Sequence, residues 1–295
     1  MNVETSLVLF LLFEGIGIGT LIAAATLELV LATKNSREGN PNYNVAIQRS
    51  VWLGFSALAV GLLISLTHLG HPERFWLAIT DFSKSWLSRE GVFGILAVLV
   101  AALYAWSWRR AKDEMAGGKR SRRWIAGAII VCGLILLFST SMIYASMRTI
   151  PLWNSPLLVL LFLASALTLG FFLLPVLAWA PLSQDKDLLG SLIRWCVVAL
   201  IVLILINGLI FVQLDVGLTD AATASLALLG GSYLGITLAR VLIGLVLPLF
   251  MIGLAFREKR QGRIFPYLIG GFVFVLIGEI LGKVLFFLPA IHVGG

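Results

Sequence analysis

The stretch SLTHLGHPERFWLAITDFSKSWLSRE, from Ser65 to Glu90, lies between two long apolar runs and carries two of the three histidines of the chain. His68 closes the first run and Glu90 opens the second. Consecutive helices are usually neighbours, so the imidazole and the carboxylate can face each other across two helix ends. Histidine titrates nearest to neutral pH, and a carboxylate is a strong hydrogen-bond acceptor. Such a pair suits proton-coupled chemistry on an amphipathic molecule that arrives from a bilayer. A quinol is one: it has two hydroxyls that need acceptors, and it releases two protons with its two electrons. The plainer alternative is that His68 caps its helix while Glu90 pairs in water with Arg89 or Arg74. Pro72 keeps His71 extended and ends the helix there. Trp76 and Trp86 fit an interfacial aromatic belt, or the rim of a pocket.

A second set of ionisable residues falls inside apolar runs: Glu14, Arg240, and Glu279 with Lys283 four positions on. Residue counting puts them near mid-depth. Charges inside a membrane are costly and pair within the bundle, so a structural ion-pair cluster is the default; a proton path or transport site is the functional version. Glu28 lies near a span end, where it can reach the interface. Asn207 and Gln213 read as interhelical hydrogen-bonders. Cys132 and Cys196 lie in apolar runs and read as small hydrophobes, too few to hold an iron–sulfur cluster. The histidines, His68, His71 and His292, sit only at run ends. A haem held deep between two of them is excluded; one held at the outer surface by His68 and His292 is the weaker alternative left, and no metal site is expected.

The elements that position these groups follow from composition. Hydrophobic residues make up 59% of the chain and charged residues 13%, a balance in which a soluble domain would precipitate. Apolar runs of ~18 residues or more mark membrane-spanning helices, because backbone groups in lipid must pair within their own segment. The expectation is a single all-α domain, 1–295, of eight spans at 5–32, 46–68, 88–109, 122–147, 155–180, 190–214, 229–255 and 265–289. The first run lacks a basic leader and reads as a true span rather than a cleaved signal. The net charge of +7 sits in loops, RRAKDEMAGGKRSRR (Arg109 to Arg123) and REKRQGR (Arg257 to Arg263) among them, so no nucleic acid is implied. These basic loops share one side, which the positive-inside rule makes cytoplasmic, with both termini outside. Gly15 and Gly19, like Gly278 and Gly282, are spaced for close helix packing rather than as a dinucleotide fingerprint.

With those residues in view, THLGHPERFW followed by SWLSREG resembles the membrane anchor subunit of dimethyl sulfoxide reductase complexes (the DmsC type). MRTIPLWNSPL (Met147 to Leu157) is similar to that family's connection between spans four and five, and GEILGKVLFF (Gly278 to Phe287) to its last span. The likeness covers essentially the whole chain. It implies a multi-pass subunit of a bacterial or archaeal plasma membrane that anchors a molybdopterin catalytic subunit and a ferredoxin-like iron–sulfur subunit. It implies oxidation of menaquinol for anaerobic respiration, with no haem or cluster in this chain. The family's quinol-site histidine falls on His68, its essential carboxylate on Glu90 and its loop arginine on Arg74. His71, Trp76, Trp86, Arg89 and Arg148 would surround the quinone. His71 and Gly91 depart from the family's usual residues, and Gly91 widens the expected pocket. A polysulfide reductase (NrfD) type of anchor, in which the buried charges conduct protons, is the runner-up. A secondary transporter is a third reading, against which Pro175 and Pro248 are isolated and mark no matched pair of broken helices.

Overall fold

A computed structural model describes residues 5–33, 41–67, 80–110, 116–183, 185–217, 219–258 and 260–290. Every regular element among them is helical, and eight helices are long and apolar enough to cross a membrane. They are α1 (Thr5–Thr33), α2 (Pro41–Leu66), α3 (Trp86–Arg110), α4 (Ala116–Ala145), α5 (Leu157–Leu182), α6 (Lys186–Val216), a composite seventh span and α10 (Ile264–Phe287). Most boundaries fall within a few residues of the expected ones, although α2 begins five residues and α4 six residues earlier; two further differences concern span seven. A short helix, α7 (Asp220–Gly230), precedes span seven, which begins at Leu234 rather than 229. That span is also broken into α8 (Leu234–Val241), a π-helical turn (Leu242–Val246) and α9 (Leu247–Arg257). Pro248 lies in the first turn of α9 and has no N–H to give to the preceding turn. A π turn absorbs such a mismatch by inserting a residue.

Helices α1 to α4 pack as one four-helix group, and α5, α6, span seven and α10 as another. The seam runs where α5 lies against α1, α2 and α4. α1 is apolar all round and buried over most of its length, as a central helix must be. Lipid offers no hydrophobic drive for helices to associate, so close backbone approach has to supply the packing. A Cβ on Gly19 would stand 1.8 Å from the carbonyl oxygen of Ala166, and one on Gly17 2.6 Å from the backbone nitrogen of Leu58. The glycine stripe of α1 therefore serves packing, as its spacing implies.

At the end that carries the basic loops, Glu28 does not reach the interface. It is buried, accepts from Arg122 Nε at 2.9 Å and from the Tyr104 hydroxyl at 2.6 Å. The Arg122 guanidinium lies over the Trp108 ring, 4.0 Å from its centre. This locks α1, α3 and α4 together. Nearby, Asp185 caps α6 through the Leu188 N–H and accepts from the Tyr43 hydroxyl of α2.

Candidate functional site

The remaining buried charges gather in the opposite half of the bundle. At 1.5 Å per residue, Glu90 lies about 6 Å below the start of α3, and Lys283 about 6 Å inside the end of α10. Arg240, Glu279, Ser165 and Glu14 lie about 9 to 14 Å from the corresponding ends of their helices. The deep set thus lies in the same half of the bundle as Glu90 and further in than it.

Ser85 starts α3: its hydroxyl accepts from the Ser88 N–H at 3.4 Å, which places Glu90 one turn into the span. Glu90 is buried, and its Oε1 makes no hydrogen bond among the described residues. Glu14 of α1 is 1% exposed and accepts from the Thr140 hydroxyl of α4 at 2.8 Å. Thr140 is within reach of Glu90 as well, and the two carboxyl groups interact electrostatically. On the other side of Glu14, Glu279 pairs with Lys283 at 3.3 Å and accepts a short hydrogen bond from the Ser165 hydroxyl. Lys283 also donates to Ser165 Oγ at 3.3 Å and is close enough to act on Glu14. The two groups that residue counting kept apart therefore form one chain of polar side chains: Glu90, Thr140, Glu14, Lys283, Glu279 and Ser165.

A cavity opens on this chain, lined by Glu14, Ser165, Arg240, Glu279, Lys283 and Phe286 among others. A second, apolar cavity adjoins it and shares Leu161, Arg240, Gly282 and Phe286. Tyr144, Trp153, Phe286 and Phe287 pack edge to face or stacked beside both, and the Trp153 indole donates to the Phe286 carbonyl at 2.9 Å. MRTIPLWNSPL thus ties the α4–α5 connection to the end of α10; its Ser155 also bonds to Gln213 of α6. Gln213 is an interhelical hydrogen-bonder, as its position suggests. Asn207 instead donates to Leu203 O of its own helix and lines the apolar cavity.

His68, His71, Arg74 and Trp76 lie outside the described residues. Trp86 packs edge-on to Phe138 of α4, the helix that carries Thr140. Arg89 turns away from Glu90: it donates to the Phe82 and Ser83 carbonyls at 2.9 and 2.8 Å and covers Trp86. Its guanidinium clamps the turn before α3. Arg148 is exposed in the α4–α5 connection. The residues that sequence reasoning passed over are Thr140 and Ser165. A signal was there: Ser139, Thr140 and Ser141 form a hydroxyl run in an otherwise apolar span.

Two comparisons place this arrangement. Residues 1–288 match the family described as the DMSO reductase anchor subunit (DmsC). The anaerobic dimethyl sulfoxide reductase chain YnfH of Escherichia coli K12 is 25% identical over 248 residues, which cover 82% of this chain and 81% of that one. A subunit of the sulfite dehydrogenase of Allochromatium vinosum is 32% identical over 124 residues, 39% of this chain and 38% of that protein. The chain belongs to the DMSO reductase anchor subunit family, and it is a multi-pass membrane protein.

Proposed function

We propose that this chain oxidises menaquinol in a plasma membrane and passes the electrons to an iron–sulfur partner, which feeds a molybdopterin catalytic subunit. One observation carries the reading. Glu90 presents a buried carboxylate oxygen with no partner, in the half of the bundle opposite the basic loops. A buried acceptor left unpaired costs about 1–3 kcal/mol, and a quinol hydroxyl satisfies it. Glu14, which Thr140 joins to this end of the bundle, lines a cavity that brings a few polar groups beside an apolar one, as ligand sites do.

Each quinol gives up two protons and two electrons and leaves as quinone. Glu90 accepts one hydroxyl, and His68, which follows the second span in sequence, accepts the other. The proton that reaches Glu90 is held at its carboxylate, beside Thr140 and Glu14. Arg74 and Arg148 offset the negative charge that develops on the ring oxygens, while His71, Trp76 and Trp86 border the ring. Arg89 contributes through the turn it clamps. The electrons go one at a time to the iron–sulfur partner docked over this end, which faces the outside. Anaerobic respiration is the setting that the relationship to a dimethyl sulfoxide reductase chain supports.

The test is binding of a fluorescent quinol analogue, read by quenching, in membranes that hold the whole complex. Glu90→Gln is expected to weaken binding and quinol oxidation at least tenfold with assembly intact. Unchanged binding and turnover would make Glu90 an ordinary buried charge.

A further inference from the structure

Span seven and α10 touch backbone to backbone at one point. A Cβ on Gly244, in the π turn, would stand 2.4 Å from the Cα of Gly278. From this contact the two helices continue toward the end opposite the basic loops, and the apolar cavity lies between them and α6 there. α6 meets span seven through α9, in the other half, and has little contact with α8. Phe211 of α6 and Val241 of α8 both line the cavity and are both exposed, 37% and 38%, on the bundle's outer surface. The cavity therefore opens sideways, toward lipid, between α6 and α8.

Arg240 stands at the neck between this cavity and the polar one. Among the described residues it makes no hydrogen bond or ion pair, although Glu279 is near enough to act on it. Its guanidinium lies against α10 where position 282 has no side chain: a Cβ there would be 2.6 Å from Arg240 Cζ. An arginine inside a membrane is by default a functional group, and this one offers its five donors to whatever occupies the neck.

We propose that the cavity between α6, α8 and α10 is the tail subsite and lateral entrance for the quinol. The prenyl chain lies against Ile210, Phe211, Leu245 and Leu285, and the ring passes Arg240 to reach Glu14, which Thr140 links to Glu90. This rests on the reading of the chain as a quinol oxidase subunit. The lining of the cavity is largely aliphatic and aromatic, from Leu152, Leu158, Ile210 and Phe211 to Leu245 and Leu285, which suits a hydrocarbon chain. The neck chooses the occupant. A phospholipid phosphodiester would meet Arg240 but would lie beside Glu14 and the Glu279–Lys283 pair with no hydrogen to donate to the carboxylates. A neutral ring with hydroxyls can accept from the guanidinium and donate to the carboxylates.

The experiment uses the whole complex in proteoliposomes, with Ile210→Trp and Val241→Trp, and two quinols: menaquinol with its prenyl chain and tail-less menadiol. The ratio of kcat/KM for the long quinol to that for the short one is expected to fall at least tenfold in each variant. A ratio within twofold of the original's would overturn the proposal. Inability of the original complex to oxidise either quinol would overturn the function instead. Should the variants fail to assemble, a menaquinol analogue with a photoreactive group on its tail is irradiated in the original complex. Labelling of α6, α8 or α10 supports the subsite. Labelling confined to other helices, or a phospholipid recovered from the cavity in place of the quinone, rejects it.

Discussion

The Thr140 hydroxyl donates to Oε1 of Glu14 across the α4–α1 interface at 2.8 Å, and the same hydroxyl is within reach of Glu90. One short side chain thus joins a carboxylate at the edge of the bundle to another in its centre. Thr140→Val keeps the shape and removes the donor. Leaving Glu14 buried with one acceptor unmet costs about 1–3 kcal/mol. The variant should unfold at lower temperature in detergent and oxidise quinol more slowly, whereas Thr140→Ser should restore both. Equal turnover in the valine and serine variants would separate Thr140 from the chemistry.

The ion pair at the other end behaves differently. Glu28 and Arg122 are both buried; Tyr104 donates to Glu28, and the Trp108 ring lies under Arg122. Breaking a buried pair by removing one member costs about 3–5 kcal/mol, because the other charge is left unpaired. Arg122→Ala should lower the yield of assembled complex severalfold. Turnover per assembled complex should stay within twofold of the original, since the pair lies far from Glu90. A selective loss of turnover with normal yield would contradict this division.

The eight spans were legible because each is a continuous apolar run, and lipid leaves helices as the only way to pair its backbone. The site was legible in part. SWLSREG identifies Glu90 by its position at a span start, but residue counting cannot say that α3 begins at Trp86 and holds Glu90 a full turn inside. Nor can it say that Glu14, in a helix of 29 residues, comes to the same half of the bundle. Both depend on how far each helix extends beyond the apolar core. The π turn was hidden as well. Pro248 marks a local break, but an all-apolar sequence shows no change of face where a residue is inserted.

Gly278 and Gly282 are one helical turn apart, yet their substitutions should differ in kind. A methyl at Gly278 meets the Cα of Gly244 at 2.2 Å, and neither backbone can yield without shifting a helix. Overpacking of this sort costs about 1–3 kcal/mol, so Gly278→Ala should reduce thermal stability and assembly. At Gly282 the obstacle is the end of the Arg240 side chain, which can swing aside. Gly282→Ala should therefore assemble normally and change the apparent affinity for quinol by severalfold. Comparable stability losses in the two variants would show that the guanidinium is held as firmly as backbone.

The placement of the polar chain bears on whether quinol oxidation moves charge across the membrane. Glu14 and Glu28 are 14 positions apart on α1, about 21 Å along its axis. Between them α1 offers only Thr20 and Thr26, hydroxyls that do not titrate. Glu28 is itself closed off by Arg122 and Tyr104. A proton taken by Glu90 thus has a short way back to the near surface, about 6 Å from the helix start, and no carboxylate relay along α1 to the far one. If the quinol site and the catalytic partner face the same side, protons released there match those consumed there. Turnover in sealed proteoliposomes should then generate no membrane potential, as followed with a voltage-sensitive dye. A potential that builds with turnover and collapses with an ionophore would show a route through the bundle, and Glu14→Gln would be the variant to block it.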